Sequence, residues 1–175
     1  MSIKTIFLDR DGVINKEINY LYKIKDFEFI SGIFDTCIHF RKLGYKIIII
    51  TNQSGISREL YTESDYQNLT QWMLKKFNKN NVEILDVFHC PHGPESNCYC
   101  RKPMPGMLLK AKDKYNIDMM KSWMIGDKDA DIVSANKSGI SNTILVRSGH
   151  AINQSTSNAK FILDSIRDSK KIIVI

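Results

Sequence analysis

No run of apolar residues in this 175-residue chain comes near the ~20 needed to cross a bilayer, so a membrane-spanning helix is not expected. The opening residues, MSIKTIFLDRDG, lack a signal-peptide layout, because their short apolar part runs straight into charge. The expected setting is the cytoplasm. Cysteine is scarce, with four residues in all. Cys37 stands alone in a helical pattern, whereas Cys90, Cys98 and Cys100 crowd together, which is poor for a disulfide framework and good for a metal site. No internal repeat, low-complexity tract or linker interrupts the chain, and residues 1–175 read as one domain. Lys and Arg outnumber Asp and Glu by 25 to 19, a net charge of +6. The excess is scattered, with only short pairs such as Lys75-Lys76 and Lys170-Lys171. A nucleic-acid partner would want it gathered on one element, and a strand-binding groove would want an aromatic or basic stripe. Both are missing, so the surplus reads as a solvated surface that also suits a small phosphorylated substrate. Nothing marks an oligomer, and a monomer is expected.

Hydrophobic residues make up 43% of the chain, enough for a real core. They fall in alternating patterns. Short β-branched or apolar runs predict strands over 5–9, 46–51, 83–90, 122–127 and 142–147. Helical spacing marks 32–45, 62–79, 105–117 and 129–139, with a capping pattern at Thr62 and a proline near the first turn at Pro105. The tail over 158–175 carries FIL, read as a late strand, and a terminal IIVI, read as a docked segment. This order implies an α/β fold: a Rossmann-like, mostly parallel sheet with helices on both faces. In such sheets ligands bind beyond the carboxyl ends of the strands.

Those ends carry the chemistry. Ile6, Phe7 and Leu8 lead into Asp9, Arg10 and Asp11. Asp9 and Asp11 would share one side of a continuing strand, and Arg10 would turn away to pack or pair opposite. Two carboxylates and a backbone carbonyl suit Mg²⁺, Gly12 lets the chain turn, and Asp127 brings a third carboxylate from another strand tip. Asp129 and Asp131 read as helix-start residues. Thr51 and Asn52 close a third apolar run with a hydroxyl and an amide able to bind phosphate oxygens. Arg101 and Lys102 add two cations that would neutralise a phosphate repelled by the acids. Cys90, His92, Cys98 and Cys100 form C-x-H-x₅-C-x-C, a ligand set for tetrahedral Zn²⁺ with no place left open, hence structural. His89, Cys37 and His39 read as packing residues.

DRDGVIN, ITNQSG, CRKPMPGM and IGDKDAD stand in the order and approximate spacing of the four motifs of the haloacid-dehalogenase superfamily of phosphatases, which the chain resembles over residues 6–149. Within it, TNQSGISR, the helix YTESDYQNLTQWM and GDKDADI are similar to the heptose-1,7-bisphosphate 7-phosphatases. The histidinol-phosphate phosphatases are a sister group that shares the metal loop. The resemblance implies a phosphatase with Asp9 as nucleophile, Asp11 as general acid and then base, and Thr51 and Lys102 on the transferring phosphoryl group. It implies Mg²⁺ on Asp9, the Asp11 carbonyl and Asp127. Substrate recognition would fall to Glu17, Ile18, Asn19, Tyr20, Asn52, Gln53, Ser54, Arg101 and Lys128. General-acid work requires Asp11 to be protonated first, so its surroundings must separate it from Asp9. The implied role is removal of the 7-phosphate of a heptose bisphosphate, in nucleotide-activated heptose supply for lipopolysaccharide or a related glycan. Val13 and Glu59 depart from the commonest pattern without removing a catalytic group. The gaps between motifs are too short for a large cap domain, so the zinc loop and the 14–25 loop are expected to form the rim, with Cys100 tying zinc to Arg101 and Lys102. A zinc-ribbon-like nucleic-acid-binding module is the alternative of another class; it explains the metal loop but leaves Asp9, Asp11, Thr51, Lys102 and Asp127 unused.

Overall fold

The computed structural model describes residues 2–174; Ile175, the end of the terminal apolar run, lies outside the described residues. Six strands form one parallel sheet: β1 (Thr5–Leu8), β2 (Lys46–Asn52), β3 (Asp86–Cys90), β4 (Trp123–Gly126), β5 (Asn142–Val146) and β6 (Phe161–Leu163), in the order β3-β2-β1-β4-β5-β6. Four helices connect them: α1 (Ile33–Lys42), α2 (Glu63–Lys79), α3 (Gly106–Tyr115) and α4 (Asp129–Lys137). None is long and apolar enough to cross a membrane.

Strand alternation divides the core. Ile6 and Leu8 of β1 and Ile47 and Ile49 of β2 face one side, where Cys37 and Phe40 of α1 and Leu69, Met73 and Phe77 of α2 cover them. Phe7, Ile48 and Ile50 face the other, against Met107, Leu108 and Ala111 of α3 and Ala135 of α4. Both faces of the central strands are therefore dry, which is why IFL and IIII are continuous rather than alternating. Helix α2 starts where its sequence indicates: the Thr62 hydroxyl accepts from the Asp65 amide at 3.1 Å, and the Asp65 carboxylate accepts from the Thr62 amide at 2.9 Å.

The tail docks as expected. Its FIL is β6, and Ile166 and Ile173 enter the first core cluster, with His39 Nε2 against the Ile173 carbonyl at 2.8 Å. A 3₁₀ helix over Ile166–Lys171 precedes the terminal run, whose described residues 172–174 form no strand. Strand β3 begins at Asp86, three residues later than its pattern suggests. Between β1 and α1 the chain folds back on the sheet edge through bridges Asp11–Asn15 and Asn15–Phe29. No cap domain is inserted there.

Register places the site. Leu8 is in line with Ile49 and with Ile125, so Asp9 leaves β1 between β2 and β4, which run on to Asn52 and Gly126. The sheet order also reverses direction at β1 and β4, the topological switch where parallel sheets open a crevice.

Candidate active site

A cavity of about 300 Å³ opens at this edge, lined among others by Asp9, Asp11, Glu17, Tyr20, Arg101, Lys102, Lys128 and His150. Lys102 is a buried cation at its floor, at 3% exposure. Its Nζ lies 3.0 Å from Asp9 Oδ1 and 2.6 Å from Asp131 Oδ1, and donates to the Ile50 carbonyl at 2.8 Å. Burial pushes the ammonium down, but Asp131 and Asp9 outweigh it and hold Lys102 above the usual lysine range. Burial pushes the Asp9 carboxyl up to about 6; Lys102 opposes this, while Asp131 and Asp11 add to it.

Asp127 is fully buried between two glycines. A Cβ on Gly12, where φ is +82°, would come within 2.4 Å of Asp127 Oδ2, and one on Gly149 within 2.1 Å. Oδ2 accepts from the His150 amide at 2.9 Å and lies 2.6 Å from His150 Nδ1, whereas Oδ1 has no hydrogen-bond partner among the described residues. A buried carboxylate oxygen left bare is costly. Burial, and next Asp9, push the Asp127 carboxyl up, and His150 pulls it back. Carboxylate oxygens of Asp9, Asp127 and Asp131 lie within 4.8 Å of one another.

Asp131 and His150 carry more than their sequence context suggests. Asp131 does cap the start of α4, with Oδ2 accepting from the Asp127 and Lys128 amides at 3.1 and 3.0 Å, but its other oxygen holds Lys102. Its spacing four residues after Asp127 was the available signal. His150 also lies 3.7 Å from Glu17, whose carboxyl burial raises to about 7, with Asp11 adding and His150 and Lys128 opposing.

Arg10 does not turn away. It is 1% exposed, and its Nη2 reaches both Asp11 oxygens at 2.9 Å and the Leu21 carbonyl at 3.1 Å. The strand has ended at Leu8, so alternation no longer governs the chain. The Asp11 carboxylate also accepts from Asn15 at 3.0 Å and from Gln53 at 3.1 Å. The side-chain donors gather on Asp11, whereas Asp9, which burial raises, has Lys102 as its cation.

Asn52 and Gln53 lie at the cavity wall but spend their amides on protein. Asn52 donates to the Lys102 carbonyl at 3.0 Å and accepts from its amide at 3.1 Å. Gln53 donates to Asp11 and, at 2.8 Å, to the Thr51 hydroxyl, which is fully buried. Ile18, Asn19 and Ser54 line the opening. Arg101 donates to the His92 carbonyl at 3.1 Å. Beside it Cys90, His92, Cys98 and Cys100 converge: Cys90 Sγ is 3.5 Å from His92 Nδ1 and 3.6 Å from Cys98 Sγ, and Cys100 Sγ is 3.0, 3.5 and 3.3 Å from Cys90, Cys98 and His92.

A family model described as HAD-hydrolase-like matches residues 99–169. The D-glycero-alpha-D-manno-heptose-1,7-bisphosphate 7-phosphatase of Photorhabdus laumondii is 50% identical over 164 residues, covering 90% of each chain. The chain belongs to the haloacid-dehalogenase-like phosphatases. The D-glycero-beta-D-manno-heptose-1,7-bisphosphate 7-phosphatase of Escherichia coli (strain K12) is 39% identical to this phosphatase, covering 98% of it and 94% of the relative. The D,D-heptose 1,7-bisphosphate phosphatase from B. bronchiseptica, crystallised with magnesium and phosphate, matches its fold with a TM-score of 0.84 over 97% of each chain at 25% identity.

Proposed function

We propose that this phosphatase hydrolyses the 7-phosphate of a heptose 1,7-bisphosphate through an aspartyl-phosphate on Asp9. The carrying observation is the Asp9–Lys102–Asp131 cluster at the cavity floor, beside the bare oxygen of Asp127. Asp9 attacks phosphorus. Lys102 and Thr51 hold the phosphoryl oxygens, and Asp11 gives a proton to the departing sugar oxygen, then takes one from water. Little covalent work remains in a loose transition state, so positioned charge carries most of the acceleration.

Asp9, the Asp11 carbonyl and Asp127 would hold Mg²⁺. The fit rests on Asp127, whose buried Oδ1 has no hydrogen-bond partner among the described residues and whose carboxylate comes within 4.8 Å of that of Asp9. The ion, when bound, supplies positive charge that favours ionised Asp9 and neutralises phosphoryl oxygens. Arg101, Lys128, Tyr20, Glu17, Ile18, Asn19 and Ser54 face the sugar and its remaining phosphate, whereas Asn52 and Gln53 act by holding Lys102 and Asp11.

Cys90, His92, Cys98 and Cys100 would bind structural Zn²⁺. Their separations approach the ~3.8 Å edge of a tetrahedron with ~2.3 Å bonds, and all four corners are protein. A cytoplasmic setting keeps such thiols reduced. A zinc-ribbon-like binding module leaves the Lys102 cluster without use.

The test is Mg²⁺-dependent kinetics on the two anomers of the heptose bisphosphate and on histidinol phosphate, for the native chain and Asp9→Asn. A heptose bisphosphate should give the highest kcat/KM, and Asp9→Asn should abolish it. Equal activity of both proteins removes the nucleophile assignment, and preference for histidinol phosphate removes the substrate assignment.

A further inference from the structure

We propose that Tyr61 is a positioning residue for the general acid Asp11, acting through the Gln53 side-chain amide. This rests on the role given to Asp11 above. The Tyr61 hydroxyl lies 2.6 Å from Gln53 Oε1, and Gln53 Nε2 donates to Asp11 Oδ2 at 3.1 Å and to Thr51 Oγ1 at 2.8 Å. A primary amide has one acceptor and two N–H donors, and here all are engaged. The Asp11 carboxylate, which only accepts, sets which way the amide faces, and the Tyr61 hydroxyl anchors the carbonyl oxygen at its other end. Turned over, Gln53 would set its carbonyl oxygen against the Asp11 carboxylate.

The two oxygens of Asp11 are held differently. Oδ1 accepts from Arg10 and Asn15, near neighbours in the chain, at 2.9 to 3.2 Å. Oδ2 accepts from Arg10 and from Gln53, which lies just past β2. Gln53 is thus the donor that ties Asp11 Oδ2 to the sheet that also presents Thr51. An acid that must meet a sugar oxygen in one geometry gains from such a tie, because proton transfer is steep in position.

The surroundings of Tyr61 serve the hydroxyl. The residue is 5% exposed, its ring stacks on Tyr22 at 5.3 Å between centroids, and a Cβ on Gly55 would come within 2.1 Å of it. The turn that follows β2 therefore needs glycine at 55 to admit this ring. Burial pushes the phenol up to about 12, so it remains a donor throughout the neutral range.

The experiment compares Tyr61→Phe, Tyr22→Phe and Asp11→Asn on heptose 1,7-bisphosphate and on p-nitrophenyl phosphate. kcat/KM reports the steps up to departure of the leaving group. An alkoxide needs a proton as it leaves, and p-nitrophenolate does not. Tyr61→Phe keeps the ring and should lose about tenfold in kcat/KM on the sugar phosphate and no more than about twofold on the aryl phosphate. Its melting temperature should stay close to native. Tyr22→Phe, in the same aromatic stack, should change neither substrate by more than about twofold. Equal losses for Tyr61→Phe on both substrates, or no loss on either, overturn the proposal. Asp11→Asn separates the two readings: if it shows the leaving-group difference and Tyr61→Phe does not, Tyr61 alone is wrongly assigned. If Asp11→Asn loses equally on both, the general-acid role and the proposal fall together.

Discussion

Replacing Asp131 by asparagine keeps the shape of the side chain and removes its charge. Asp131 is 1% exposed and Lys102 3%, so little water can stand in for the lost carboxylate. Lys102 retains Asp9 at 3.0 Å and the Ile50 carbonyl at 2.8 Å, so its ammonium is not stranded. The cost therefore lies below the ~3–5 kcal/mol of stripping a buried ion of its partner. It lies above the ~1 kcal/mol of an ordinary neutral hydrogen bond. About 2–3 kcal/mol is expected between these limits. In a chain of this size each kcal/mol moves the melting temperature by roughly 2–4 °C, which gives a fall of about 4–12 °C. The assay is thermal unfolding by circular dichroism in Mg²⁺-free buffer without chelator, so that any metal on the proposed zinc site is left alone. Asp164→Asn is the control: Asp164 pairs with Arg147 at 2.8 Å, but on the surface, and its loss should cost less than about 1 kcal/mol. Asp131→Asn should also lower kcat by about a hundredfold, since Lys102 is left drawn onto Asp9, the proposed nucleophile. A melting shift under about 2 °C, or one equal to that of Asp164→Asn, would refute the view that Lys102 depends on Asp131.

Gly149→Ala puts a methyl against the buried Asp127 carboxylate and should raise the Mg²⁺ concentration for half-maximal activity by about tenfold. Gly93→Ala, whose Cβ would meet Ser57 Oγ at 3.4 Å, should leave it unchanged. Cys98→Ser should lower bound zinc well below one ion per chain, with activity and melting temperature falling together, as read by metal analysis alongside kinetics. Tyr66 is held protonated by burial, its phenol raised from the ordinary 10 to about 12. A raised pKa means that the stabilisation is complete below pH 10 and lost as pH climbs through about 12. Urea midpoints between those values should show a loss of about 2 kcal/mol that Tyr66→Phe removes.

The sheet was legible because its central strands are dry on both sides: runs such as IFL and IIII admit few other placements, and glycine or a cap marks most helix ends. Asp9 and Asp127 follow those runs directly, and the structure brings Lys102 to Asp9 and gathers Cys90, His92, Cys98 and Cys100 beside it. Arg10 was misplaced because alternation was carried past Leu8, where β1 stops and the chain turns toward the Asp11–Asn15 bridge. Asp131 was undervalued because an acid in the first turn of a helix already has a sufficient local explanation, and its second oxygen reports to a lysine 29 positions earlier in the chain. His150 follows β5 in RSGH, with no spacing to betray it. Only the pairing of β5 with β4 brings that loop to Asp127. Asn52 and Gln53 stand at a strand tip, where polar groups usually meet ligand or water, and they do line the cavity. Their partners, the Lys102 backbone and Asp11, are distant in sequence and become neighbours through the parallel register.

Lys102 shows what a phosphatase without a cap asks of its loops. A lysine side chain loses ~2 kcal/mol of rotamer freedom when pinned, and no domain closes over this cavity to do the pinning when substrate arrives. The chain instead fixes Lys102 during folding, from three sides. Asn52, at the end of β2, clamps its backbone through both amide atoms. Asp131, at the start of α4, holds its ammonium. Cys100, two residues before it, belongs to the thiol–imidazole cluster, whose Cys90 lies in register with Asn52 on β3. The proposed zinc ion and the Asn52 clamp therefore act on one short segment from the same edge of the sheet. Loosening either should spread to the other, so Cys98→Ser and Asn52→Ala together should cost less kcat than the sum of their separate effects in free energy. Simple additivity in that double-mutant cycle would mean that the zinc loop supports the fold without steering Lys102.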